Sequence, residues 1–340
     1  MPRRRARIVA IAPYLPEGRL TNEDLAAQFP EWTPEKISDK TGIDCRRVAE
    51  PDEFTSDLAV KAGEALFEKT DVAREDIDFL MLMTLSPDYV IPFTAGMIQD
   101  RLGLPKTVGA FDSTLGCSGY VYGLGLAAAL IESGRARNVL LVTADKFAPY
   151  TIEGDKSVKT IFGDGATATL IEAVDEDQIS EVGRGGIIGA ADFGTDGSGS
   201  HNLVARTSSM RGFAGNESVS QSCPTLEMNG PEVFNFTLST VSKHIKGFLK
   251  ENEVAVDDVA LFVFHQANGF MLEHLRKRMK IPAERFAVHL ADTGNTLAST
   301  IPIALAHSID QGRVPPGSKV MLVGFGVGYS WGSVLVDYPG

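Results

Sequence analysis

Cysteine is scarce in this sequence, with only three residues among 340: Cys45, Cys117 and Cys223. An odd number without paired spacing argues against a disulfide framework and against the cysteine pairs of zinc sites. We therefore expect no metal site, and we expect a reducing, cytoplasmic compartment. Cys117 still needs an explanation, because it lies between two glycines where one apolar run stops and an Ala/Leu-rich run begins.

Long apolar runs and an excess of positive charge are also missing. No apolar stretch reaches the roughly 20 residues needed to span a bilayer, and prolines break the short apolar stretch near the N-terminus, unlike in a signal peptide. A net charge of −12 argues against a nucleic-acid partner. We expect no membrane and no nucleic-acid partner, while a local basic surface for an acidic partner remains compatible with the composition.

The chain does contain a long internal repeat. Residues 73–145 and 255–326 each contain an apolar run, an amphipathic helix, a short strand, a small-residue turn, an Ala/Leu helix and a third apolar strand. Apolar runs without alternation predict strands buried on both faces, and their alternation with helices predicts an α/β sheet. We predict a duplicated α/β fold whose N-terminal half, residues 1–180, carries the cysteine, and whose C-terminal half is residues 181–340.

Three polar residues lie at predicted strand ends. Cys117 precedes a predicted helix, where unpaired N–H groups and the helix dipole favour a thiolate. His265 closes the apolar run "VALFVFH", and Asn295 lies in the turn "DTGNTLAST", opposite the Cys117 turn in the repeat. Ligands bind at the carboxyl ends of strands in α/β sheets, so packing of the two halves would bring these residues together.

Each of these residues has a simpler interpretation when taken alone. Cys117 could fill a gap in the core, His265 could be a core histidine, and Asn295 could cap a helix. The order Cys, His, Asn also fits a papain-like protease. The mid-chain cysteine, the lack of disulfides and the duplicated halves count against that protease, and together the three residues indicate a catalytic site.

Motifs along essentially the whole chain carry a more specific resemblance. They are "KTGIDCRR", "DSTLGCSG", "IFGDGATATLI", "MNGPEVFNF", "FVFHQAN", "DTGNTLASTIPIAL" and "GFGVGYSWGS". Together they resemble the β-ketoacyl-acyl-carrier-protein synthase III family of the thiolase superfamily. The resemblance implies a thiolase-like fold in five layers, α-β-α-β-α, a homodimer, and no cofactor beyond acyl thioesters carried on coenzyme A or acyl carrier protein.

The resemblance also implies a decarboxylative Claisen condensation. Cys117 would take an acyl group, and His265 and Asn295 would stabilise the enolate formed when a malonyl thioester loses carbon dioxide. The product would be a 3-oxoacyl thioester for fatty acid initiation or for a specialised-metabolite pathway. The backbone N–H groups of Cys117 and Val327 would form the oxyanion hole. A thiolase would have a second cysteine in "GFGVGYSWGS", and none is present.

The remaining implied sites concern substrate binding. The acyl pocket would include Ile91, on a loop that reaches the partner subunit, and Phe325. Lys36 stands where the family has an adenine-stacking tryptophan, Trp32 lies four residues earlier, and Phe270 replaces a family arginine. Residues implied for binding coenzyme A or the carrier protein are Lys36, Lys40, Lys156, Asn268, Arg276, Lys277, Arg278 and Lys280.

Two other functions remain open on this scaffold. One is an acyltransferase that moves the acyl group from Cys117 to an alcohol or amine. The other is a degenerate, non-catalytic subunit of a larger synthase. Asn295 argues against the first, because pure acyl transfer needs no enolate stabilisation, and the intact set of cysteine, histidine and asparagine argues against the second.

Overall fold

The apolar runs of the repeat form strands of a mixed sheet in the computed structural model, which describes residues 4–150, 155–179, 185–205, 226–326 and 328–339. The strands are β1 Arg4–Tyr14, β2 Gly18–Thr21, β3 Cys45–Val48, β4 Phe79–Met83, β5 Gly109–Ser113, β6 Asn138–Asp145, β7 Gly165–Asp175, β8 Gly186–Thr195, β9 Leu203–Ala205, β10 Leu226–Met228, β11 Leu261–Phe264, β12 Lys319–Gly326 and β13 Ser330–Asp337. Cys223 and Val327 lie outside the described residues.

The helices alternate with these strands as the sequence predicts. They are α1 Asn22–Gln28, α2 Pro34–Thr41, α3 Thr55–Lys69, α4 Thr94–Arg101, α5 Gly119–Glu132, α6 Lys156–Lys159, α7 Gly230–Phe236, α8 Ser242–Glu251, α9 Gly269–Met279 and α10 Thr300–Asp310. A π-helix, Thr237–Val241, joins α7 to α8. Within the described ranges no helix is both long and apolar enough to cross a membrane.

Strand order shows the duplication directly. The large sheet runs β11-β12-β13-β8-β1-β7-β6-β4-β5, so β1-β7-β6-β4-β5 and β8-β13-β12-β11 read outward in the same pattern from the centre. Within the described residues, the two sets are joined by strand pairing where β1 meets β8, at Arg7↔Ile187 and Ile8↔Gly186. The predicted boundary at residue 180 falls on residues outside the described ranges and stays a prediction.

Five layers follow from how the core is divided. Helices α3 and α4 pack on the outer face of the first set of strands, and α8 and α9 pack on the outer face of the second. Helices α5 and α10 lie between the two sets. Neighbouring residues on one strand, such as Leu82 and Met83 on β4, enter different cores. Burial on both faces explains the lack of alternation in the apolar runs.

One predicted strand differs in its surroundings. The run "TVGAF" predicts a buried strand, whereas β5 is half-buried along its whole length. It lies at the end of the sheet and pairs only with β4 in the single chain. Its counterpart in the second half is reduced to one bridge, Phe262↔Phe286. The outer edge of β5 therefore offers unpaired backbone groups.

Candidate active site

Cys117 lies at the start of α5, directly before the N-cap residue Ser118. The residue is 7% exposed. Gly326, the last residue of β12, lies so close that an added Cβ would be 2.6 Å from the Cys117 Cβ and 3.0 Å from its Sγ. Only glycine permits this approach. The end of the second half's central strand therefore packs directly against the cysteine.

The segment after Gly326 forms a hydrogen bond with the first turn of α5. The Ser118 and Ser330 hydroxyl oxygens are 2.7 Å apart and buried. Gly324 also lies close to this helix start, because a Cβ added to Gly324 would be 2.8 Å from the Cα of Ser118. Val327, the second predicted oxyanion donor, belongs to this segment but lies outside the described residues, so its predicted role is untested.

Burial works against the thiolate that the helix N-terminus favours. It raises the pKa of the Cys117 thiol to about 12, and the negative charge of Asp145 adds to this effect. The thiol is therefore protonated at neutral pH in the unliganded site. A reaction with the sulfur as nucleophile would require this proton to leave.

Asp145 is a buried residue that the sequence interpretation missed. It ends β6, and its carboxylate accepts hydrogen bonds from the Leu85 N–H at 2.7 Å and from the Thr84 and Ser86 hydroxyls, each at 3.2 Å. Burial raises the pKa of Asp145 to about 7, although these donors lower it. The signal in the sequence is a carboxylate that closes the apolar strand "NVLLVTAD", at the position that Gly326 occupies in the second copy of the repeat.

His265 follows β11 and is buried, with 2% exposure. Its Nδ1 lies 2.7 Å from the Thr300 hydroxyl oxygen. The ring meets Phe325 edge to face, with 5.5 Å between the ring centroids, and Phe325 directly precedes Gly326. Burial lowers the pKa of His265 to about 3. The imidazole is therefore neutral at pH 7.

Asn295 lies beside the strand end of His265. Its side-chain amide donates to the Ala267 carbonyl at 3.3 Å, and its Oδ1 accepts from the Leu297 N–H at 3.0 Å. Leu297 in turn lies near Gly116, the residue before Cys117, because a Cβ added to Gly116 would be 3.7 Å from a Leu297 methyl carbon. The structure thus brings Cys117, His265 and Asn295 to one site, and the second amide hydrogen of Asn295 has no partner among the residues that the structure describes.

A cluster of lysines surrounds Trp32, away from the buried site. The ammonium groups of Lys36, Lys40 and Lys156 lie 5.4, 5.0 and 5.6 Å from the Trp32 ring centroid. Trp32 directly precedes the N-cap of α2. Counting residues back from "TGI" placed Lys36 at the position of an aromatic, whereas the fold brings Trp32 itself to the three lysines. Distance along the chain did not reveal this, because Lys156 comes from another segment.

The basic run after "HQAN" divides into two groups. Arg276 and Lys277 pair with Glu273, at 2.7 and 3.2 Å. Arg278 and Lys280 are exposed, without an ion pair in the part of the chain that the structure describes. Asn268, predicted to bind substrate, caps α9 by accepting the Met271 N–H at 2.8 Å, so its amide hydrogens remain available.

The two predicted acyl-pocket residues lie in different environments. Phe325 is buried against His265. Ile91 is 87% exposed, in a loop where Tyr89, Val90 and Phe93 are also exposed. Within one chain, Ile91 therefore does not line the pocket of its own Cys117, and its predicted role depends on a partner subunit.

Within the described ranges, no group of three or more His, Cys, Asp or Glu residues is placed to hold a metal ion.

Comparisons with known proteins agree with this architecture. The family model of 3-oxoacyl-(acyl-carrier-protein) synthase III matches residues 111–197, and the model of its C-terminal region matches residues 249–338. The β-ketoacyl-(acyl-carrier-protein) synthase III of Clostridium perfringens is 35% identical over 332 residues, 97% of this chain and 98% of that protein.

Two solved structures show the same similarity. A crystal structure of 3-oxoacyl-(acyl-carrier-protein) synthase III superimposes with a TM-score of 0.92 at 45% identity, over 98% of this chain and 100% of the other. The priming β-ketosynthase of the R1128 polyketide pathway gives a TM-score of 0.88 at 30% identity, over 100% of this chain and 99% of the other. The thiolase-like fold expected from the sequence motifs is confirmed.

Proposed function

Since the chain belongs to the 3-oxoacyl-(acyl-carrier-protein) synthase III family, we propose that it condenses an acyl group with a malonyl thioester, releasing carbon dioxide and forming a 3-oxoacyl thioester. The observation that carries this proposal is the placement of Cys117, His265 and Asn295 at one buried site. Such an enzyme is a condensing synthase. The general class name acyltransferase fits it only in part, because the acyl group is transferred to carbon and a carbon–carbon bond is formed.

The reaction divides into two half-reactions at Cys117. In the first, Sγ attacks the thioester carbonyl of the donor, the carbon–sulfur bond of the donor breaks, and the Cys117 proton passes to the departing sulfur, which leaves as a thiol. In the second, the bond between the malonyl carboxylate and its methylene carbon breaks, and carbon dioxide departs. The resulting carbanion attacks the acyl carbonyl, the acyl–Sγ bond breaks as the new carbon–carbon bond forms, and the released Cys117 thiolate takes up a proton from solvent.

His265 and Asn295 serve the second half-reaction. Loss of carbon dioxide leaves negative charge on the thioester oxygen of the enolate. The second amide hydrogen of Asn295 and the Nε2 of His265 are hydrogen-bonding groups held in place by the fold in a buried site. An acyl transfer to an alcohol or amine would develop no enolate, so this pair favours condensation over that alternative.

The substrate carriers bind at two surfaces in this proposal. Trp32 offers a flat aromatic face, and Lys36, Lys40 and Lys156 offer positive charge for the adenine and phosphates of coenzyme A. Arg278 and Lys280 are free to meet an acidic carrier protein. No cofactor is needed, because the thioesters themselves supply the reactive carbon atoms. The pathway is fatty acid initiation or the priming of a specialised product.

Mass spectrometry of the intact protein tests this function. With acetyl-CoA, the wild type should gain one acetyl group on the peptide that contains Cys117, and malonyl-carrier protein should then remove it as acetoacetyl-carrier protein with release of carbon dioxide. Cys117→Ala should form no adduct, and Trp32→Ala should raise the acetyl-CoA concentration needed for half-maximal acylation. An adduct on Cys45 or Cys223, or turnover without carbon dioxide release, would contradict the proposal.

A further inference from the structure

The Thr300 hydroxyl lies 2.7 Å from Nδ1 of His265. Thr300 begins α10 and is 3% exposed, and the two half-reactions described above assign it no role. A neutral imidazole carries a single ring proton, and the group bonded to one ring nitrogen determines which nitrogen holds that proton. The direction of the hydrogen bond between Thr300 and Nδ1 therefore decides whether the other nitrogen, Nε2, is a donor or an acceptor.

The hydroxyl proton of Thr300 has two acceptors within reach. One is Nδ1 of His265, and the other is the Leu297 carbonyl oxygen, 2.9 Å from the Thr300 Oγ1. That carbonyl already accepts the backbone N–H of Thr300. It therefore keeps a partner when the hydroxyl turns to His265, so donation from Thr300 to Nδ1 leaves no buried group of this set unsatisfied.

We propose that Thr300 is a positioning residue for His265: its hydroxyl donates to Nδ1 and so keeps the single ring proton on Nε2. Nε2–H then points to the substrate as a donor, and the ring needs no second proton to stabilise the enolate. This agrees with a histidine that is neutral at pH 7, because burial lowers its pKa to about 3. The inference rests on the proposed function, because it assigns to Thr300 the placement of the ring proton that His265 donates to the enolate.

The Leu297 carbonyl is the group that favours the opposite arrangement. A backbone hydrogen bond at Leu297 counteracts part of the effect of burial on the pKa of His265. Without the Thr300 hydroxyl, this carbonyl would be the remaining acceptor near the ring, and the proton would move to Nδ1. Nε2 would then present a lone pair to the enolate oxygen, which repels instead of stabilising.

Two variants of Thr300 separate the hydroxyl from the space it fills. Thr300→Val keeps the shape and removes the donor, while Thr300→Ser keeps the donor. Nitrogen-15 NMR of protein labelled in its six histidines reports the ring proton of His265, assigned by comparison with His265→Asn. We expect Nε2–H in the wild type and in Thr300→Ser, and a shift to Nδ1–H in Thr300→Val.

The kinetic measurement uses malonyl-carrier protein and acetyl-CoA as probes. Decarboxylation of malonyl-carrier protein should fall about 10- to 100-fold in Thr300→Val, because a preorganised donor is lost, and Thr300→Ser should restore it. Acetylation of Cys117 should stay close to the wild-type rate in both variants, which also shows that they are folded.

Three results would overturn the inference. They are a wild-type ring protonated on Nδ1, wild-type decarboxylation by Thr300→Val, and an equal loss of both half-reactions with an unchanged ring proton. Failure of the proposed function looks different. In that case the wild type itself releases no carbon dioxide from malonyl-carrier protein, while the NMR spectra still show whether Thr300 controls the ring proton.

Discussion

Cys117 and His265 are both neutral at pH 7 in the unliganded site, because burial raises the pKa of the thiol to about 12 and lowers that of the imidazole to about 3. A buried ion pair would have to repay the cost of desolvating two charges. The site instead holds neutral hydrogen-bonding groups in place until a substrate brings the charge. Asn295 fits this arrangement, since an amide donates a hydrogen bond without titrating.

Asn295→Ala should separate the two half-reactions. Removing the amide takes away one donor to the enolate, so decarboxylation of malonyl-carrier protein should fall on the order of 100-fold or more. Acetylation of Cys117 should continue, because it develops no charge at this position. Rapid-quench measurements of both steps test this, and Asn252→Ala, at the asparagine that directly follows α8, is the control. Full condensation by Asn295→Ala would instead support simple acyl transfer.

Strand β12 of the second half packs directly against Cys117, the candidate nucleophile of the first half. Its last residue, Gly326, leaves room for Cys117 only because it has no side chain. The same strand places Phe325 against His265. Two of the three catalytic candidates are therefore positioned by consecutive residues of one buried strand, which is more rigid than a surface loop.

Gly326→Ala should displace Cys117. An added methyl 2.6 Å from the Cys117 Cβ forces the strand end and the helix start apart, at a cost of about 1–3 kcal/mol in the free energy of unfolding. Acetylation should slow markedly. Gly247→Ala on α8 is the matched control, because its Cβ would meet nothing within 4 Å and alanine favours a helix. Normal acetylation by Gly326→Ala would show that the close approach is unnecessary.

The strands and helices of the repeat could be predicted because each has a local pattern of apolar residues, either a continuous run or an amphipathic spacing. The strand ends of Cys117 and His265 and the turn of Asn295 follow from that pattern. The half-buried state of β5 could not be predicted, since it depends on which strand ends the sheet. The grouping of Trp32 with Lys156, the burial of Asp145 and the contact between Thr300 and His265 join segments far apart in sequence, and a local pattern carries no information on such pairs.

Two features of the single chain favour a homodimer. Strand β5 exposes an unpaired edge, and the loop with Tyr89, Val90, Ile91 and Phe93 exposes four large apolar side chains. Exposed strand edges and apolar patches are usually covered by a partner. We therefore propose that two copies associate here, so that light scattering should give twice the chain mass of 36.5 kDa.

Within such a dimer, Ile91 should limit the acyl chain held by the partner's Cys117. Ile91→Phe adds a ring to the wall of that pocket, and each methylene it excludes is worth about 0.8 kcal/mol, or roughly fourfold in the specificity constant. A primer series from acetyl to dodecanoyl thioester should show a preference that moves to shorter chains. Val90→Phe is the matched control, since Val90 is the similarly exposed neighbour. If Ile91→Phe leaves the preference unchanged in a protein shown to be dimeric, the chain length is set by residues of the subunit's own pocket, such as Phe325.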